Sequence, residues 1–328
     1  MITGSLSVII KRKTKTSPMR MNLRLMSVLA LTLFTTFIAC KKDSSTTQQD
    51  PGPELTVHSE DQARISTEMD AVDVDLNMAL ENNPAFSGRL YGTNSLCGAE
   101  VIPDTLNNPR KITITYNGED CEGLHTRSGS IVISMPAGIH WKDAGAALTV
   151  TYQNYKVTRL RDNKSITING SHLLTNVSGG LLYQLPTLKT ITHTIGSSNL
   201  SITFDDGTKR DWSVARKRVY SYNNGAPLIT ITGTHTEGAQ TGIADWGTDR
   251  FGRTFSTAIT QPLVISSDCD FRLTSGEVMH MRNGSSAVVT FGLDKNGNPT
   301  SCPATGSYYF KLVWTGAGGN SQTFIAPY

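Results

Sequence analysis

The stretch KITITYN, Lys111 to Asn117, alternates strictly: Ile112, Ile114 and Tyr116 fall on one side of an extended chain, and Thr113 and Thr115 on the other. Successive side chains of a strand point to opposite faces, so this pattern describes a strand with one buried and one half-exposed face. The same period recurs in SGSIVIS, SITING, NLSITF, PLITITG and AVVTF. In ALTVTYQNYKV, Leu148, Val150 and Tyr152 share one parity while Tyr155 and Val157 share the other, which predicts a bulge near Gln153 and Asn154. Asn117-Gly118, Asp206-Gly207, Asn224-Gly225, Asn283-Gly284 and Asn296-Gly297 read as hairpin turns between such strands. The expected class is mainly β: an antiparallel sandwich-like or extended sheet. Low charge (17% of residues) supports this over exposed helices.

Upstream, the period changes to that of a helix. Ile65, Met69, Val72, Leu76 and Leu80 recur at helical intervals, Ser59 and Gln62 have the spacing of a capping box, and Asn82, Asn83 and Pro84 end the pattern. An amphipathic helix over 57–84 is therefore expected to lie against the β body.

Two echoes suggest duplication. Ile166 to His172 reads ITINGSH and Ile229 to His235 reads ITITGTH; CEGLHTRSGSIVI from Cys121 is echoed by CDFRLTSGEVMHM from Cys269. They predict a first β unit over 85–182 and a second over 183–328. Cys97, Cys121, Cys269 and Cys302 are an even set, and pairing Cys97 with Cys121 and Cys269 with Cys302 closes the shortest loops, one bridge in each unit. No two of them have the close spacing of a zinc knuckle, so neither a metal nor any other cofactor is expected.

The first fifty-six residues carry no such patterning. Six Lys and Arg precede LMSVLALTLFTTFIA, Leu25 to Ala39, a run too short and too rich in Ser and Thr for a spanning helix and suited to a secretory signal over 1–39. Ser, Thr, Gln and Pro dominate the following segment, so 40–56 is expected to be a disordered polar stalk. The formal charge of +3 includes the six leader cations, leaving −3 from Cys40 onward and no basic footprint for nucleic acid.

The border FIACKKD, Phe37 to Asp43, resembles the lipobox of bacterial lipoproteins, with Phe37-Ile38-Ala39 preceding the invariable cysteine at Cys40. The resemblance implies cleavage before Cys40 and acylation of its sulfur. Several acyl chains make a lasting anchor where one binds only marginally. The Cys-Lys-Lys-Asp start, the stalk, DQARISTEMDAVDVDLNMAL and the strands TRSGSIVI, NYKVTRL and DWGTDRFGRTF are together similar to uncharacterised lipoproteins of Bacteroidetes-type bacteria. What this implies is an outer-membrane lipoprotein, anchored through Cys40 and facing the periplasm or the cell surface, with a β body and no implied activity; a glycan or protein partner is an expectation separate from the resemblance.

Chemical motifs are sparse. HExxH, GxSxG and a phosphate-cradling glycine loop do not occur, and Asp294 to Thr305 lacks the glutamate of a calcium loop. In DWSVARKRVYSY, one parity of a strand would carry Trp212, Arg216, Arg218, Tyr220 and Tyr222, a candidate exposed face for a glycan or anionic partner. Asp205, Asp206, Asp245 and Asp249 are scattered carboxylates of the kind a glycan hydrolase would need to bring together in space. A non-enzymatic envelope binding module is the leading expectation, and an envelope hydrolase the alternative.

Overall fold

A computed structural model describes residues 53–88, 96–282, 284–302 and 306–328. Cys40, the signal and most of the stalk lie outside the described residues. A 30-residue helix, α1 (Pro53–Asn82), is followed by the short helix α2 (Pro84–Ser87) and then by strands β1 (Ala99–Asp104), β2 (Arg110–Glu119), β3 (His125–Met135), β4 (Ala146–Arg159) and β5 (Ser165–Asn176). After the single-turn helix α3 (Leu185–Leu188) come β6 (Thr190–Phe204), β7 (Lys209–Asn223), β8 (Ala226–Gly233), β9 (His235–Glu237), β10 (Gln240–Thr248) and β11 (Thr254–Ser266). The chain ends with β12 (Arg272–Arg282), β13 (Ser285–Leu293), β14 (Tyr309–Thr315) and β15 (Ser321–Pro327).

All fifteen strands belong to one antiparallel sheet, ordered β1 to β7 and then β10 to β15. β8 and β10 lie end to end between β7 and β11: β10 pairs with the first part of β7 and β8 with the second. The sheet crosses residue 182 without interruption, because β5 pairs with β6, so the two expected β units share one sheet. Hairpin connections of two to five residues suffice for most neighbours, as the period-two sequence with short turns requires.

The alternation sets what is buried. Ile112, Ile114 and Tyr116 of β2, with Ile131, Ile133 and Met135 of β3, face a common core. In β4 the bulge falls where the parity changes: its register slips between Tyr152 and Tyr155, so Leu148, Val150, Tyr152, Tyr155 and Val157 all turn inward. The bulge needs a glycine opposite it. A Cβ on Gly129 (φ +83°) would come within 2.1 Å of the Asn154 carbonyl oxygen. Gly276, the counterpart of Gly129 in the cysteine echo, also faces a register shift, that of β11 near Pro262 and Leu263. The other echo diverges, for β5 runs unbroken through His172 while the chain leaves β8 at Gly233 before His235. Asn117-Gly118 is not a turn. β2 continues to Glu119, and Gly118 instead lets Gly98 approach, where a Cβ would lie 3.2 Å from the Gly98 Cα.

α1 starts at Pro53, so Ser59 falls inside the helix and not at its N-terminus. Its stripe Ile65, Met69, Val72, Leu76 and Leu80 is almost wholly inaccessible and joins the sheet residues in the main core. Polar contacts reach α1 from both sides: Arg64 donates to the Lys164 carbonyl at 2.8 Å, and Asp75 accepts from Tyr116 at 2.9 Å and Arg127 at 2.7 Å. On the opposite flank Arg250 holds Asp61 through two bonds of 2.7 and 2.8 Å. Among the described residues no helix is long and apolar enough to cross a membrane. Cys97 is bonded to Cys121 and Cys269 to Cys302, with Cα separations of 5.2 and 5.3 Å.

Three histidines, His58, His172 and His193, are enclosed in this body, and His280 on β12 is half-buried. His172 touches Tyr152, and His193 lies between Trp141 and Tyr220. Burial, aided by nearby arginines, pushes His58 and His172 down to about 3 and His193 to about 4; burial with Arg210 puts His280 at about 4.

Three outcomes follow from this packing. Leu76→Ala removes a wholly buried side chain where α1 meets the sheet and is expected to lower stability by about 2–5 kcal/mol in urea titrations. Replacing Cys97 and Cys121 together by Ala is expected to cost about 3 kcal/mol, and peptide mapping without reductant should recover the Cys97–Cys121 and Cys269–Cys302 peptides and no crossed pairs. In the unfolded chain the four histidines take up protons near pH ~6.5, while in the fold they stay neutral, so stability is fully present above that pH and falls as the pH is lowered. Burial raises Asp73 to about 6 and shifts Asp61, Glu68 and Asp75 upward, and these carboxyls act in the opposite sense at lower pH. Between pH ~7.5 and ~6 the urea midpoint should therefore fall, and His172→Leu should flatten the slope by a fraction of a proton that grows to about three-quarters near pH ~6. A flat wild-type profile would mean that the buried histidines titrate normally.

Candidate functional site

Trp212, Arg216, Arg218, Tyr220 and Tyr222 do share one face of β7, but it is the face that α1 covers. The first four are at least nine-tenths buried and Tyr222 is half-buried, so this is not an exposed binding surface. The reason lies across the interface. Arg218 is gripped by Asp70 and Asp73 of α1; Arg216 pairs with Asp245 of β10 at 2.5 Å and reaches Ser66 of α1 at 3.3 Å. The Trp212 indole donates to the same Asp245 at 3.1 Å. Gln62 completes the set, donating to Asp245 at 3.0 Å and accepting from Arg210, whose guanidinium lies 4.1 Å from the Phe255 ring centroid. A cationic strand face was readable in the sequence. So was a helix bearing Asp61, Asp70 and Asp73, and matching the two by charge would have placed the arginines inside.

The scattered carboxylates are likewise committed. Asp245 serves Arg216, Gln62 and Trp212; Asp249 lies 2.8 Å from the Arg282 Nε; Asp206 pairs with Arg250 at 3.0 Å. Asp205 lies exposed beside the β6–β7 turn. His172 is enclosed in the core, whereas His235 stacks on Trp246 at a centroid distance of 4.0 Å, so the two do not meet. Among the described residues no cluster of three His, Cys, Asp or Glu is arranged to hold a metal. Asp294 accepts from the amides of Asn296 and Asn298 and closes a hairpin turn.

Beside the buried arginines opens a groove of about 630 Å³. One wall is a second stripe of α1, made of Asp70, Asp73, Val74, Asn77, Met78 and Glu81. These residues recur at three- and four-residue intervals and so stand on one helical face, next to the stripe that enters the core. Leu182 and Leu185 close one side; the opposite wall is apolar sheet, formed by Leu228, Ile229 and Ile231 of β8 with Ile265 of β11. Glu81 accepts from the Leu182 amide at 2.5 Å and so ties α1 to the connection before β6.

Phe271 stands on the rim with more than half its surface exposed. It and Asp270 both adopt left-handed backbone (φ 54° and 56°), which non-glycine residues seldom do and which costs on the order of 1–3 kcal/mol apiece. The adjacent Cys269–Cys302 bridge fixes the loop that carries this strain.

The floor of the groove is polar. It consists of Arg218 and Tyr220, from the β7 face singled out in the sequence, with Asp73 and Asn77. Burial drives Asp73 up to about 6 against the pull of Arg218. Burial also opposes the charge on Arg218, but Asp73 and Asp70 outweigh it and hold the guanidinium above its usual range. The groove thus joins a polar floor and an acid-bearing helix wall to an apolar sheet wall. Such a cavity, apolar with a few fixed polar groups, is the common form of a small-molecule site. A second hollow of about 790 Å³ lies by Gln240, Ser256 and Arg282, and is more polar and more open.

No family model, curated protein or solved structure matches the chain, so the groove is interpreted from its own geometry.

Proposed function

We propose that this chain is a lipid-anchored protein of the outer membrane whose β body is a non-enzymatic binding module for a small apolar molecule. The observation that carries the binding reading is the groove between α1 and β8. Leu228, Ile229, Ile231 and Ile265 form one side, Met78 and Val74 the other, and Leu182 and Leu185 close one end. Val74 and Phe271, which line it, are more than half exposed, apolar surface of the kind that marks a binding groove. Its volume lies within the ~300–1,000 Å³ usual for small ligands. Anchorage is supported by the border at Cys40 and by the polar segment between it and α1. A body held close to a bilayer by a short tether meets hydrophobic molecules at high local concentration.

The binding reading is tested with the neutral dye N-phenyl-1-naphthylamine. Saturable fluorescence enhancement at one site is expected, with affinity lowered tenfold or more in Leu228→Glu and Met78→Glu while their melting temperatures stay near that of the wild type. Unsaturable enhancement, or equal affinity in both variants, would remove the groove from consideration. For the anchor, wild-type protein is expected in the membrane fraction with a mature N-terminus at an acylated Cys40, and Cys40→Ser in the soluble fraction. An unacylated start elsewhere, seen by intact mass, would refute that assignment.

A further inference from the structure

Two acceptor atoms on the groove-lining stripe of α1 are buried and lack a donor. One carboxylate oxygen of Asp73 is bound by Arg218, while its Oδ1 is enclosed and unbonded. One turn further on, the Asn77 amide nitrogen donates to the Asp73 carbonyl at 2.8 Å, and its Oδ1 is enclosed and unbonded too. Both residues line the groove and are more than nine-tenths buried. Protein interiors rarely leave such atoms unmet, because a buried acceptor loses its water without compensation.

Charge narrows what could meet them. The lining holds three carboxylates, Asp70, Asp73 and Glu81, and a single cation, Arg218, which is already engaged by two of the three. An anionic group entering here meets a net negative surface, whereas an ammonium gains from it and brings several N–H donors on one atom. The remaining walls offer only hydrocarbon.

We infer that the occupant of the groove is an amphiphile with an amine head, its N–H groups donating to Asp73 Oδ1 and Asn77 Oδ1 and its hydrocarbon chain lying along Leu228, Ile229 and Ile231. This rests on the groove being a binding site, as argued above, and specifies the chemistry of what it takes. The polar end selects the head group and the sheet wall supplies most of the affinity. Arg218 acts as a positioning residue, fixing the Asp73 carboxylate so that one oxygen is left for the ligand.

Isothermal titration at pH 7.5, below the critical micelle concentrations, with decylamine, decanol and decanoate as probes separates the outcomes. Decylamine is expected to bind at least tenfold more tightly than either of the others. Asn77→Ala should weaken decylamine about three- to tenfold and leave decanol unchanged, and Asp73→Asn should abolish the preference. Should Asp73→Asn fail to fold, judged by circular dichroism, Asn77→Ala carries the comparison. Decanol or decanoate binding as tightly as decylamine, or an Asn77→Ala variant that weakens all three probes alike, would overturn the amine assignment while leaving the groove reading in place. If none of the three binds and none displaces the naphthylamine dye, the groove reading itself falls and the amine assignment with it.

Discussion

Arginines that rise from one strand beneath a helix, Arg218 into two of its acids and Arg216 to its Ser66, hold this molecule in register. Arg218 with Asp73 and Arg216 with Asp245 are buried pairs, while Asp70 holds Arg218 from a half-exposed position and Ser66 accepts from Arg216. Taking such charges from water costs several kcal/mol per ion, and the attraction between them does little more than offset it. Their contribution is therefore positional. Removing one partner leaves a bare charge in the interior, at about 3–5 kcal/mol, so a helix shifted by a residue or rotated about its axis is heavily penalised where apolar packing alone would tolerate it. The core stripe of α1 supplies the attraction to the sheet, and the ion pairs decide where along the sheet it stops.

The sheet accommodates that helix through local irregularity. Fifteen strands of regular alternation would make a broad ribbon, but register slips in β4, β6, β11 and β13 break the ladder and bend it. Gly129 and Gly276 stand opposite two of these slips, where the partner backbone comes too near for any side chain. A consequence is that arms of the sheet far apart in sequence, Tyr116 and Arg127 on one side and Arg216 and Arg218 on the other, both reach α1.

The groove is a product of the same arrangement. α1 presents two adjacent stripes, and the sheet is close enough to bury the first completely but only to overhang the second. The space between is lined with hydrocarbon because β8 is an inserted strand with Ile and Leu on both sides of its alternation. Fixing the helix register by Arg218 also fixes the depth and polarity of the floor, so the structural ion pair and the proposed ligand site share a residue.

Much of this could be read along the chain. Period-two alternation, turn dipeptides and the 3.6-residue stripe are local properties, dictated by where successive side chains point, and they yielded the sheet, its helix and the β4 bulge, while the even cysteine count and the shortest loops yielded the two disulfides. Asn117-Gly118 shows the limit even of local rules, since the same dipeptide that closes a hairpin also serves where two backbones must touch. The parity of Trp212, Arg216, Arg218, Tyr220 and Tyr222 was equally legible, but not what lies over them. An alternating strand states only that its faces differ. Which face meets solvent depends on a helix some 140 residues earlier in the chain, and here the acids of α1 make a cationic face the buried one. Cys40 is the converse case: its context is wholly sequential, and the expectation of an anchor rests on the linear string FIACKKD. The groove belongs to tertiary structure alone, because its walls come from α1, β8 and β11, and no short stretch of sequence contains more than one of them.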